Sequence, residues 1–174
     1  MRNAPRRAPT AAAAALGAAT LLAGCSLTPP ERPAYTGTDR VGTDVDPASL
    51  VGAWRVTPLN PYPDEEPQDT IIEYRADGTL SGVLEPRGEE SIAAFGAGTS
   101  FTMSGDWTLV DGTVSHSDVR MESSSDNPLA RLTSGFINGT SLDIDGTADI
   151  LELEPDRIVM LGTDGAAMRY DRVE

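Results

Sequence analysis

Side chains able to do nucleophilic or acid-base chemistry are scarce in this chain. His116 is its only histidine, so a Ser-His-Asp catalytic triad would have to use it. No Gly-x-Ser-x-Gly elbow accompanies it. A histidine on a half-exposed strand is more often an ordinary structural residue than a general base. We therefore expect no enzyme activity.

Acidic residues form the other candidate sites. Asp143, Asp145 and Asp149 could offer oxygen ligands to Ca²⁺. A glycine follows the second of them directly, however, and no glutamate stands at EF-hand spacing, which favours a hairpin turn. The pairs Glu65-Glu66 and Glu89-Glu90 are expected in loops as solvated charge, without an apolar pocket to raise a pKa. We expect no metal and no cofactor.

The N-terminus has the order of an export signal. Three arginines (Arg2, Arg6, Arg7) precede an apolar run of small residues from Ala11 to Ala23, which leads into the sole cysteine, Cys25. That run is shorter than the roughly 20 residues that span a bilayer. It indicates an export signal rather than a membrane-spanning anchor.

The Leu-Ala-Gly-Cys sequence at Leu22–Cys25 resembles the lipobox of bacterial lipoproteins, at which signal peptidase II cleaves before the cysteine. The resemblance implies a signal peptide over residues 1–24 and a diacylglyceryl group on Cys25, often with an N-acyl chain such as palmitate. Two or three chains make a stable anchor. The mature protein would then sit on the cell membrane or outer membrane, facing outside the cytoplasm. An ordinary secretory signal is the alternative.

Composition excludes some partners. Removing residues 1–24 leaves 174 − 24 = 150 residues, enough for one domain and a tail. Three of the 13 arginines are lost against 27 acidic residues, which gives a formal net charge of 10 − 27 = −17. Nucleic acid is therefore not expected as a partner. Lipidation of Cys25 would leave no thiol, so disulfides are excluded.

Residues 25–48 are rich in Pro, Thr, Asp and Gly and are expected to form a flexible tether, with a strap packed near Tyr35 as the alternative. Residues 49–174 alternate in β fashion and contain four Asp-Gly turn signals, starting at Asp77, Asp111, Asp145 and Asp164. They predict an all-β domain of about eight antiparallel strands. The strands are expected at Leu50–Thr57, Thr70–Arg75, Thr79–Glu85, Ser100–Ser104 running into Asp106–Val110, Thr113–Met121, Ser141–Ile144, Ala148–Glu152, Arg157–Leu161 and Ala167–Val173. Asn127–Ile137 is expected to be a short helix, whereas Glu89–Phe95 fits a helix or a loop.

Gly52-Ala53-Trp54 at the first strand resembles the Gly-x-Trp signature of lipocalins and of bacterial lipocalin-like domains. The resemblance implies an up-and-down barrel in which Trp54 lies at the closed end under a late arginine. Alternation places Arg172, rather than Arg169, on the inward face for this cation–π contact. A second Gly-x-Trp at Gly105, the lack of a disulfide and the early position of the expected helix depart from the family, so an antiparallel sandwich or meander stays open.

We therefore expect a membrane-anchored extracytoplasmic lipoprotein whose barrel binds a small apolar or amphipathic molecule. Its partners would be the membrane, through lipidated Cys25, and that ligand. The alternative is a structural or protein-interaction lipoprotein of the cell envelope whose barrel is filled by its own side chains and has no ligand cavity.

Overall fold

Eight antiparallel strands close into an up-and-down barrel. The structure, a computed structural model, describes residues 31–37, 43–63, 65–66, 68–124 and 146–174. Each strand pairs with its neighbours along the chain, and the last strand pairs with the first. The strands are β1 (Gly52–Pro58), β2 (Gln68–Tyr74), β3 (Thr79–Pro86), β4 (Phe101–Val110), β5 (Thr113–Ser123), β6 (Thr147–Leu153), β7 (Arg157–Gly162) and β8 (Ala167–Arg172). The predicted lipocalin-like barrel is confirmed, and the sandwich is excluded.

Short helices accompany the barrel. A 3₁₀ helix, Pro47–Ser49, precedes β1, and α1, Glu89–Phe95, connects β3 to β4, which answers the choice between helix and loop. No helix in the described ranges is long and apolar enough to cross a bilayer. The helix expected at Asn127–Ile137 and the strand expected at Ser141–Ile144 lie outside the described residues.

Glu66, expected as solvated charge in a loop, also caps the helix α1. Oε1 of Glu66 accepts a hydrogen bond from the backbone N of Glu90 at 2.8 Å. Gly88, the N-cap residue of α1, has no side chain that could do this, so a carboxylate from the β1–β2 loop satisfies a free N–H in the first helical turn. Oε2 of Glu65 similarly accepts from the backbone N of Tyr62 at 3.0 Å. These acids order the loop.

The Asp-Gly turns take two forms. Asp111 and Gly112 both have positive φ, 50° and 73°, as the expected I′ turn requires. At Asp77-Gly78 and Asp164-Gly165 only the glycine has positive φ, because these are three-residue loops whose glycine closes a G1-type bulge. Asp145 lies outside the described residues.

A β-bulge changes the inward face of β5 midway. Ser104 pairs with Arg120 and Asp106 pairs with Ser117, so two residues, Asp118 and Val119, oppose Gly105 alone. A Cβ on Gly105 would lie 2.9 Å from the carbonyl oxygen of Ser117, and only glycine fits this close backbone approach. Because of the bulge, His116 and Val119 both face the interior although they are three residues apart on β5. It also joins the two segments expected on either side of Gly105 into the single strand β4.

The barrel has two different ends. The end where β1 begins, here called the closed end, also holds the β2–β3, β4–β5 and β6–β7 turns and the end of β8. Its core is packed. The fully buried large side chains of the domain are Leu50, Trp54, Tyr74, Val114, Ile150, Ile158 and Met160. The opposite end, here called the open end, holds the β1–β2 loop, α1 and the β7–β8 turn.

Part of the expected tether packs on the open end. Asn60, which is buried, donates from Nδ2 to the carbonyl oxygens of Pro33 at 2.8 Å and Gly165 at 2.9 Å. Its Oδ1 accepts from the backbone N of Ala167 at 2.8 Å. The guanidinium of Arg32 lies 4.2 Å from the ring centroid of Tyr62. The packed strap that was kept as an alternative is thus present at Arg32 and Pro33.

Candidate ligand-binding site

The three residues expected to close the barrel meet at the closed end. Trp54 is fully buried, and its indole Nε1 donates to the carbonyl oxygen of Leu50 at 2.7 Å. The guanidinium carbon of Arg172 lies 4.1 Å from the Trp54 ring centroid, within cation–π range. A Cβ on Gly52, whose φ is +138°, would lie 2.5 Å from Nη1 of Arg172. The missing side chain of Gly52 therefore makes room for the arginine.

Arg172 also bonds the chain around Trp54. Its Nε donates to the carbonyl oxygen of Pro155 at 2.7 Å, its Nη1 to that of Val51 at 3.1 Å and its Nη2 to that of Ser49 at 3.2 Å. One guanidinium thus joins the 3₁₀ helix, the start of β1 and the β6–β7 turn. Because these contacts leave no opening over the indole, a ligand would have to enter elsewhere.

Neither Arg169 nor the second Gly-x-Trp takes part in the contact over Trp54. The Nε of Arg169 pairs with Asp171 at 2.8 Å, and its side chain is 40% exposed, as expected for a residue on the outer face. Trp107 packs edge-on against Tyr74 with ring centroids 5.3 Å apart, and its Nε1 donates to the carbonyl oxygen of Arg75 at 3.0 Å. Trp107 is therefore a core residue with a hydrogen bond.

A cavity of about 290 Å³ lies inside the barrel toward the open end. Most of its lining is apolar and comes from six strands or their ends. The lining residues are Val56, Pro58, Gln68, Thr70, Ile72, Leu80, Leu84, Met103, His116, Val119, Met168 and Tyr170. This is the shape and chemistry of a small-molecule site, concave and apolar with a few polar groups.

Polar groups occur at two levels of the cavity. Toward the closed end, the hydroxyl of Tyr74 lies 2.9 Å from Nε2 of His116, and the two rings stack with centroids 5.7 Å apart. Tyr170 interacts with Tyr74 and lines the cavity. Thr70 lies nearer the open end, two residues after β2 begins at Gln68. Thr70 is 7% exposed, and its Oγ1 has no hydrogen-bond partner among the described residues. A buried hydroxyl in that state carries a desolvation cost that a ligand's polar atom would relieve.

Burial keeps the two tyrosines neutral. Desolvation, reinforced by Tyr170, raises the pKa of Tyr74 well above its ordinary value of 10.0. Desolvation also raises the pKa of Tyr170, although the hydrogen bond from Tyr74 partly opposes the shift. Both phenols therefore act as neutral hydrogen-bonding groups at physiological pH.

Other predicted site residues lie apart from the cavity. Asp149 accepts a hydrogen bond from Oγ1 of Thr113 at 2.7 Å, a cross-strand contact between β5 and β6. Asp143 and Asp145 lie outside the described residues, as do the motif Leu22–Cys25 and its cysteine. In the part of the chain that the structure describes, no three His, Cys, Asp or Glu side chains come close enough to hold a metal ion.

Sequence reasoning missed most of the cavity wall. The alternation that places Arg172 inward also places Met168 and Tyr170 inward, but nothing in the sequence brought Thr70 or Val119 to the same space. Thr70 shares the parity of Ile72 on β2 and could have been found from it. Val119 could not, because the bulge at Asp118, whose φ is +53°, resets the alternation.

No protein-family model matches the chain, and no curated protein matches it. An NMR structure of a protein from Burkholderia xenovorans is similar, with 12% sequence identity and a TM-score of 0.40, over 81% of this chain and 98% of that one.

Proposed function

We propose that this chain is a lipid-anchored, extracytoplasmic lipoprotein whose barrel binds a small apolar or amphipathic molecule. The observation that supports binding most directly is the cavity of about 290 Å³. It is lined by apolar side chains from both halves of the domain. A barrel that served only as a structural module would gain stability by filling this space, because an unfilled cavity forfeits packing energy.

The volume of the cavity limits the size of the ligand. Small-molecule sites usually begin near 300 Å³, so this cavity stands at the lower end of the range. With about 30 Å³ for each water-sized group, it holds roughly ten non-hydrogen atoms. The ligand would therefore be short, closer to a medium-chain alcohol than to a full-length lipid.

The anchor is supported by the residue pattern at the N-terminus. Basic residues, a short apolar run and Leu22–Cys25 follow one another in the order that lipoprotein processing needs. A formal charge of −17 on the mature chain disfavours electrostatic attachment to anionic lipid, so acyl chains on Cys25 would supply the membrane attachment.

The competing function is a protein-interaction module. Its expected mark is a large exposed apolar patch. The large apolar residues found exposed in the described ranges are Tyr62, Val83, Ile92 and Val110, which belong to different elements: the β1–β2 loop, β3, α1 and the end of β4. Their separation gives this alternative less support than the cavity gives to ligand binding.

The test uses the full chain isolated from its own membrane in mild detergent. Native mass spectrometry should detect a bound molecule of up to a few hundred daltons. Val119→Phe places a ring in the cavity and should abolish the bound mass, whereas Val83→Phe, on the outer face where Val83 is 39% exposed, should retain it. A bound mass that survives Val119→Phe would contradict ligand binding in the cavity, and so would a chain that carries no ligand and takes none from a lipid screen.

A further inference from the structure

We infer that the cavity selects a neutral molecule with one hydrogen-bonding head, which pairs with Thr70. This inference rests on the proposed ligand-binding function and specifies its ligand class. Alcohols, phenols and other uncharged amphiphiles fit it. Carboxylates such as fatty-acid anions do not.

The cavity offers no counter-charge to an ionised ligand head. None of the described residues that line it is Arg, Asp or Glu, and the chain contains no Lys. The one imidazole in the lining, that of His116, already has its Nε2 hydrogen-bonded to Tyr74. An ionised ligand head would therefore lose its hydration without gaining an ion pair, which is costly. A carboxylate would also meet a protein whose formal net charge is already −14 before processing, and which therefore repels anions.

Charges near the cavity lie on the outer face, paired with one another. Asp69 lies 3.3 Å from Nε of Arg55 and 3.4 Å from Nη2 of Arg87, and Glu85 lies 2.7 Å from the same Nη2. Asp69 and Thr70 are adjacent on β2, so their side chains point to opposite faces of the sheet. This ionic cluster thus stands outside the wall, where it cannot neutralise a charged head within.

Neutral polar groups stand inside the cavity. Oγ1 of Thr70 has no hydrogen-bond partner among the described residues, although only 7% of Thr70 is exposed. Tyr170 and His116 line the same cavity. A hydroxyl or carbonyl group on a ligand can pair with such groups without any change of charge. Apart from Gln68, the other lining side chains are apolar and would surround the tail.

The experiment compares three probes of equal chain length: 1-octanol, octanoate and octylammonium. They are titrated at pH 7 into the full chain carrying Cys25→Ser, which leaves it unlipidated, labelled with ¹³C at the methionine methyl groups. Met103 and Met168 line the cavity and report binding, whereas Met160, buried outside the lining, reports the integrity of the core.

We expect 1-octanol to shift the Met103 and Met168 signals saturably, and both ionic probes to bind at least about tenfold more weakly. Thr70→Val should weaken 1-octanol binding about threefold or more. Thr70→Ser keeps the hydroxyl and should bind 1-octanol as tightly as the unchanged chain does. Thr108→Val, an exposed position on β4, is the matched control and should bind as the unchanged chain does.

Octanoate binding as tight as 1-octanol would overturn neutral selection and leave the proposed binding function standing. Equal affinity of Thr70→Val and the unchanged chain for 1-octanol would overturn the role of Thr70. If none of the three probes shifts Met103 or Met168, the proposed binding function itself is contradicted. An unaltered Met160 signal in Thr70→Val shows that the variant is folded.

Discussion

Gly52 and Arg172 compete for one small volume: a Cβ on residue 52 would lie 2.5 Å from Nη1 of the arginine. The two residues are 120 positions apart in the chain, yet β1 and β8 are neighbours in the closed barrel. A short sequence signature at one end of the chain thus depends on an arginine at the other. The glycine admits the guanidinium, and the guanidinium covers Trp54.

Gly52→Ala should destabilise the barrel by about 2–4 kcal/mol, because it adds both a strained positive φ and a close contact. Gly165→Ala is the matched control. Gly165 also has positive φ, +81°, but a Cβ there would meet no atom within 4 Å, so its cost should be limited to about 1 kcal/mol of backbone strain. Urea unfolding measures both. Equal losses of unfolding free energy in Gly52→Ala and Gly165→Ala would show that the contact with Arg172 adds nothing to the cost.

Arg172→Lys should lower the free energy of unfolding by about 2–3 kcal/mol although the charge is kept. Lysine has no planar fork with which to reach three carbonyl oxygens while covering an indole. Arg169→Lys, in a 40% exposed surface ion pair, should change stability by at most about 0.5 kcal/mol. If Arg172→Lys does not lower the free energy of unfolding, the contact between Arg172 and Trp54 does not stabilise the barrel.

The architecture could be predicted from the sequence, whereas the cavity could not. Alternation and Asp-Gly turns identified the strands because both are local signals. The cavity wall depends on the β4–β5 register, which two unpredicted backbone features set: the positive φ of Asp118 and the missing side chain of Gly105. A packed strap was an alternative near Tyr35, but the residues that dock it escaped prediction for a similar reason, since Asn60 binds Pro33 from 27 residues away. Such long-range hydrogen bonds leave no periodic trace.

Alkaline pH should unfold the barrel. The pKa of Tyr74 is raised by burial, so above about pH 10 the unfolded chain loses phenolic protons that the folded chain retains. The stability contributed by the neutral phenol is therefore complete below pH 10 and declines as the pH rises through and beyond that value. The absence of lysine removes the other group that usually titrates there.

Urea unfolding between pH 8 and 12, with tyrosinate absorbance at 295 nm, measures this dependence. Tyr74→Phe should make the decline above pH 10 shallower without removing it, because burial also raises the pKa of Tyr170. The variant costs about 1–2 kcal/mol at pH 7 through the lost hydrogen bond with His116. Tyr62→Phe, in the exposed β1–β2 loop, is the control and should retain the steep decline. A Tyr74→Phe protein whose stability falls as steeply as that of the unchanged chain would show that another group is responsible.

Cys25→Ser should move the protein from the membrane fraction to the soluble fraction of the cells that produce it. The reason is chemical: serine offers no thiolate for the diacylglyceryl group, and without acyl chains a strongly acidic protein has no attraction to an anionic membrane surface. Ser26→Ala, next to the motif, is the control and should remain in the membrane fraction. Mass spectrometry of the N-terminal peptide should find Cys25 as the first residue, carrying the mass of its acyl chains. A Cys25→Ser protein that stays in the membrane fraction would refute the anchor and leave the barrel and its cavity unaffected.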